Sequence, residues 1–275
     1  MLPELRERAV DAVEIMDDPH CDPETLRRTY KDFRLVNAVV SGLRHSYRRD
    51  IRPRLSATRP HALLDIGSGG GDVARSLARW AARDGLRLTV TAIDPDARAH
   101  AFAIAQPAVP GLEFRRAHSG DLVAAGERFD TVLSNHVLHH LGAAELGALL
   151  ADSERLSRGL VLHGDIERAA LAYAGFGLGT WPFFRDSYIR ADGLTSIRRS
   201  FTLAELAVAA PPGWTVRRER PYRLVLRWSA PGAAGAAGAA GAAGAAGSAG
   251  AAGSSGTPGA GGPALRAEPD GDSYA

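Results

Sequence analysis

The segment Asp65-Ile66-Gly67-Ser68-Gly69-Gly70-Gly71-Asp72 carries the residue types and spacing most suited to chemistry. Glycine admits positive φ and leaves no side chain between the backbone and a ligand. A ligand can therefore lie against the main chain at a helix N-terminus. Asp65, just before the glycines, offers a carboxylate to a positively charged ligand group. Asp94, followed by Pro95, ends a second apolar run from Leu86 to Ile93, where an acid can accept hydrogen bonds from ribose hydroxyls.

The elements that must position these residues follow from pattern. His61-Ala62-Leu63-Leu64 reads as a buried strand and Val73 to Ala82 has helical periodicity, so the glycines form a strand–turn–helix junction. From residue 61 to about 163 strands and helices alternate. The strand candidates are Ala62–Ile66, Arg87–Ile93, Leu112–Ala117, Thr131–Ser134 and Gly159–His163. The helix candidates are Asp72–Asp84, Ala97–Gln106 and Ala143–Ser157. That alternation predicts an α/β fold, a Rossmann-like doubly wound parallel sheet with a ligand at the carboxyl ends of the strands.

Four motifs in order then carry a resemblance. Leu64-Asp65-Ile66-Gly67-Ser68-Gly69-Gly70-Gly71, Ala92-Ile93-Asp94-Pro95, Gly120-Asp121-Leu122 and Phe129 through Leu141 (Phe-Asp-Thr-Val-Leu-Ser-Asn-His-Val-Leu-His-His-Leu) together resemble the class I S-adenosylmethionine (SAM)-dependent methyltransferases, in the small-molecule branch related to quinone and polyketide methylation. The resemblance implies SAM as cofactor and a small aromatic, quinone-like or polyketide-derived acceptor methylated on oxygen or carbon. Gly67, Ser68, Gly69 and Gly71 would form the cofactor loop. Asp121 would stand near the adenine amino group, and Asn135 would touch cofactor or acceptor unless it caps a helix. Two closing strands, Trp214–Arg220 and Tyr222–Trp228, would complete seven strands with an antiparallel end.

Histidines are the acid–base candidates. Removing a proton from a phenol of pKa ~10 is helped by a base near neutrality. Adjacent residues point different ways, so at most one of His139 and His140 faces the site; His139 is the expected one. His163 ends the predicted fifth strand on the ligand edge, with Asp165 two residues on, and is the stronger catalytic candidate; Asp165 is assigned to the acceptor. No metal is expected. Ser134-Asn135 offers no second carboxylate, and the nine histidines are scattered without zinc spacing. The glycines at 69 and 71 with Ala74 also fit a dinucleotide fingerprint, so an NAD(P)-dependent oxidoreductase is the rival reading, and a non-catalytic SAM-binding accessory protein a second.

Residues 1–56 read as a helical cap: an amphipathic helix over Glu4–Met16, a second from Glu24 to Asn37 opened by Asp22-Pro23, and helical continuation over Val39–Leu55. Tyr30 and Phe33, on one face of the second helix, are expected to close over the acceptor. The SAM domain spans residues 57–230, with an acceptor-capping insertion at 164–200 rich in aromatics around Trp181-Pro182-Phe183-Phe184. Residues 231–275, mostly Gly-Ala-Ala repeats, read as a disordered tail.

Composition excludes several classes. The 275 residues carry a formal charge of +2, with no basic cluster interleaved with aromatics, which argues against nucleic acid. The single cysteine, Cys21, rules out internal disulfides and suits a reducing cytoplasm. No run approaches a membrane span. A monomer or homodimer in the cytoplasm is expected.

Overall fold

A computed structural model describes residues 5–232. The tail expectation therefore lies outside the described residues. Asp22 opens the first helix, α1 (Pro23–Val40): its carboxylate accepts the Thr25 N–H at 2.7 Å, and Pro23 fills the first turn, where no donor is needed. A short α2 (Leu43–Ser46) follows and continues through tighter and wider turns to Arg54.

The strand–helix alternation then runs as β1 (His61–Ile66), α3 (Asp72–Arg83), β2 (Leu88–Ile93), α4 (Ala97–Ile104), β3 (Leu112–Arg115), α5 (Ser119–Ala124), β4 (Phe129–Asn135), α6 (Ala143–Leu156) and β5 (Ser157–Ile166). Two further helices, α7 (Ala170–Thr180) and α8 (Ile189–Arg199), occupy the insertion. The chain closes with α9 (Leu203–Ala209), β6 (Thr215–Glu219) and β7 (Arg223–Ser229). The seven strands lie in the order β3-β2-β1-β4-β5-β7-β6. β1 to β5 pair in parallel, and β7 runs antiparallel to both neighbours. The expected fold class, including its antiparallel closing strand and helical cap, is the observed one.

Neighbouring residues of β1 show why the sheet must be covered twice. Leu63 packs with Val73, Leu77 and Ile51 on one face, and Leu64 with Leu146, Leu150 and Leu206 on the other. A strand apolar on both faces needs helices on both, the mark of a buried parallel sheet. The strand order reverses between β1 and β4, so the crevice at their carboxyl ends is the natural ligand site.

One expected element is corrected. Residues 5–14 form no helix, and only Ile15–Asp17 makes a single 3-10 turn. Their backbone groups are taken by distant partners. Arg168 donates to the Leu5 and Arg6 carbonyls at 3.1 and 3.0 Å, and Arg199 to the Ala12 carbonyl at 2.7 Å. The Ile15 and Met16 N–H groups donate to the Asp192 carboxylate at 2.7 and 3.0 Å. Tertiary bonds thus override a helical periodicity. The result is an extended strap laid over the carboxyl edge of the sheet.

Candidate active site

At the end of β1 the backbone turns through Gly67, Gly69 and Gly71, with φ of 69°, 52° and 79°. A Cβ on Gly67 would stand 2.6 Å from Val137, and one on Gly71 2.5 Å from the Phe114 ring. The loop is held from outside: Gly67 and Ser68 donate to the Ile93 carbonyl at 2.9 and 3.0 Å. Gly69 N–H donates to the Asp94 carboxylate at 2.8 Å, whose other oxygen accepts the Asp96 N–H at 2.9 Å.

The loop borders a cavity of about 700 Å³. Three acids gather there. Asp65 is buried, and its Oδ2 has no partner among the described residues. Asp72 accepts from Asn37 Nδ2 at 2.9 Å. Burial pushes all three pKa values up; at Asp65 the charges of Asp72 and Asp94 add to it. Crowded, desolvated carboxylates favour a cationic neighbour. Asn135, at the end of β4, is buried with both amide atoms unpartnered and also lines the cavity.

The opposite wall is made by the strap, the turn after β4, and α8. His139 Nδ1 bonds the Asp165 carboxylate at 2.7 Å, and its Nε2 lies 3.4 Å from Glu14 Oε1. His140 Nε2 lies 3.8 Å from Glu14 Oε2, and its Nδ1 lies 3.2 Å from Asp17. The two imidazoles are 4.2 Å apart. Ser196 donates to Glu14 at 2.8 Å. Burial alone would depress the His139 pKa, but the charge and hydrogen bond of Asp165, with Glu14, raise it to about 10. Flanked by two carboxylates, His139 holds a proton more tightly than a free imidazole.

Most of the expected residues meet at this cavity. Asp65, Gly67, Ser68, Gly69, Asp94, Pro95, Asn135, Tyr30, Phe33 and His139 all line it. Gly71 sits behind the loop as the N-cap of α3.

Three expectations are corrected. His163 is fully buried away from the cavity, bonded to Ser134 Oγ at 2.8 Å and stacked 5.6 Å from Trp214. β5 runs on to Ile166, so His163 lies inside the strand and not at its end. Asp121 is exposed and does not line the cavity; it accepts the His118 N–H at 2.8 Å in the first turn of α5. The next residues back, His118 and Ser119, line the cavity instead. Asp165 does not line it either, and stands behind His139. Glu14, Asp17, Asp72, Asp192 and Ser196 were missed. The capping-style Asn37–Asp72 contact and the strap have no local sequence signature, because their partners are far apart in the chain.

Comparison with known proteins bears on the same segment. Residues 63–159 match a family model described as a methyltransferase domain. A ubiquinone biosynthesis O-methyltransferase of Methylobacterium sp. (strain 4-46) is 33% identical over 125 residues, 43% of this chain and 45% of that protein. One from Methylobacterium nodulans is 41% identical over 86 residues, 29% of this chain and 30% of that protein. The match thus spans less than half the length of these curated relatives. Among solved structures, the CurJ carbon methyltransferase superposes with a TM-score of 0.54 at 18% identity, covering 76% of this chain and 61% of that one. A SAM-dependent methyltransferase from Aquifex aeolicus gives 0.50 at 13%, covering 76% and 98%. The sheet order, the glycine loop with its acids and the matched segment lead to one conclusion: residues 63–159 are similar to a methyltransferase domain, set in a fold shared with solved SAM-dependent methyltransferases.

Proposed function

We propose that the protein binds SAM in the glycine-loop cavity and methylates a small acceptor, most simply a hydroxyl oxygen on an aromatic or polyketide- or quinone-like ring. The observation that carries this reading is the buried Asp65 carboxylate with an unpartnered oxygen at the mouth of the loop. A cation fits there; the phosphates of a dinucleotide do not. The Gly67, Ser68 and Gly69 N–H groups are already taken by the Ile93 carbonyl and the Asp94 carboxylate, so the loop offers a phosphate few donors. Asp65 and Asn135 would hold the charged amino-acid end of the cofactor, and Asp94 its ribose. When bound, SAM supplies a sulfonium methyl group that is already electrophilic.

The chain's own residues then need only enclose and align. Tyr30 and Phe33 from α1, Phe176 from α7 and Ile189 from α8 give the cavity apolar walls. Tyr30 is itself fixed by the Phe102 ring at 5.2 Å. Placing the reacting atoms in line with water excluded can contribute ~7–11 kcal/mol to the lowering of a barrier. The O-methyltransferase names of the curated relatives favour oxygen over carbon as the acceptor atom.

Among the described residues no helix is long and apolar enough to cross a membrane. The single cysteine, half-buried Cys21, supports a reducing cytoplasm as the working compartment, with the chain as monomer or homodimer. Calorimetry with SAM, S-adenosylhomocysteine and NADH tests the core of this reading. Heat from both sulfur ligands and none from NADH is expected. The reverse result would transfer the protein to the oxidoreductases. Mass spectrometry of a panel of hydroxylated aromatics and polyketides, incubated with SAM, then identifies the acceptor by a gain of one methyl group.

A further inference from the structure

Glu14, His139 and His140 come from two stretches far apart in sequence, yet their ligand atoms converge within 4.8 Å at the cavity wall. Their geometry suits hydrogen bonding poorly. His139 Nε2 to Glu14 Oε1 is 3.4 Å and His140 Nε2 to Glu14 Oε2 is 3.8 Å, both beyond the usual range for N–H···O bonds. It suits a shared ion well. Two donors each ~2.0–2.1 Å from one tetrahedral ion stand ~3.4 Å apart.

The surroundings support the same reading. Each imidazole turns its Nε2 toward Glu14 while its Nδ1 faces another carboxylate, Asp165 at 2.7 Å for His139 and Asp17 at 3.2 Å for His140. Carboxylates behind the far ring nitrogen are the usual support of histidine ligands, fixing tautomer and ring orientation. Ser196 orients Glu14 in the same way at 2.8 Å. Both Glu14 and His139 are about 2% exposed, so their positions are fixed by packing.

We propose that Glu14, His139 and His140 form a divalent-metal site of the zinc type, with its remaining coordination position open to the acceptor cavity. This rests on the methyltransferase reading above and replaces the metal-free reaction expected from sequence. Two imidazoles and a carboxylate select zinc-like ions over magnesium or calcium, which prefer all-oxygen shells. An ion there would polarise an acceptor hydroxyl and lower its pKa.

The test measures metal directly and needs no acceptor. Full-length protein, stripped with chelator, is dialysed against Zn²⁺ and its bound metal counted by mass spectrometry, with affinity from competition against a chromogenic chelator. One Zn²⁺ per chain is expected. Glu14→Gln and His140→Ala should each abolish stoichiometric binding, and Asp17→Asn should weaken it ~10–100-fold. Melting curves identify any variant that has not folded; His140, about a third exposed, is the substitution that leaves packing least disturbed. SAM calorimetry on the same samples separates the two readings. Loss of zinc with SAM affinity retained supports the site. Wild-type protein that takes up no stoichiometric zinc, or that binds it equally well in folded His140→Ala, overturns the proposal while leaving the SAM assignment standing. Absence of SAM binding alone would overturn the methyltransferase reading and not the metal site.

Discussion

Asp94 accepts a backbone N–H on each carboxylate oxygen, yet each oxygen keeps a further lone pair at a residue that lines the cavity. It can brace the loop and still accept from a ribose. Asp94→Ala should therefore weaken SAM binding at least tenfold, since hydrogen bonds to a charged acceptor contribute ~1.5–3 kcal/mol each. An unchanged dissociation constant in folded protein would reduce Asp94 to a loop brace. Asp65 gives a second prediction. Its pKa is raised by burial and by the charges of Asp72 and Asp94, which favours the protonated carboxyl until a cation binds. A bound cation lowers that pKa, so binding should release protons and tighten as pH rises. Calorimetry in phosphate and in Tris should give different heats; identical heats would mean that Asp65 does not meet the cation. His163 gives a third. Burial lowers its pKa from 6.5 to about 3, so the folded protein keeps it neutral where the unfolded chain would protonate it. Its contribution to stability is whole above pH 6.5 and is lost as pH falls toward 3. His163→Gln should flatten the acid limb of melting temperature against pH; an unchanged acid limb would place the titration elsewhere. At this scale the sequence was most legible where partners are neighbours. The glycines, Asp65 and Asp94 lie within one strand–turn–helix–strand unit. Glu14 and Asp17 reach His139 and His140 only through tertiary folding, and nothing in their local pattern could announce it.

The glycine turn shows how an element constrains its residues. Gly71 is both the left-handed N-cap of α3 and the seat of the Phe114 ring, 2.5 Å from where a Cβ would stand. Gly71→Ala should destabilise the fold by ~1–3 kcal/mol or more, from the left-handed backbone alone. A melting temperature equal to wild type would show that the turn relaxes at no cost. Strand ends were the least legible feature. β5 continues three residues past His163, so the side chain expected at the edge lies buried within the strand, stacked on Trp214. Apolar patterning marks where a strand is buried; it does not mark where hydrogen-bond pairing stops, and here pairing with β7 carries the strand to Ile166. The strap failed for the converse reason. Its helical periodicity is real, but arginines and Asp192 from other elements take its backbone groups first.

For the whole molecule, the parallel sheet, its two covering layers and the closing strand were legible, because their patterns repeat over roughly a hundred residues. Every residue lining the cavity falls at or before Ser196, and the sheet is complete at Ser229. Removing residues 233–275, whose Gly-Ala composition offers little to bury, should leave melting temperature and SAM affinity nearly unchanged. A large loss of either would assign the tail a docking role. The fastening of the strap has a consequence for evolution. Arg98 holds the Met16 and Asp18 carbonyls at 3.0 and 2.8 Å, Arg168 those of Leu5 and Arg6, and Arg199 that of Ala12. Asp192 takes two N–H groups. All these bonds grip main chain, which every amino acid supplies. Outside Glu14 and Asp17, the side chains of the strap at the cavity can therefore drift under selection without unfastening it. A lineage can explore new acceptors by point mutation in one short peptide while the cofactor half of the enzyme stays fixed.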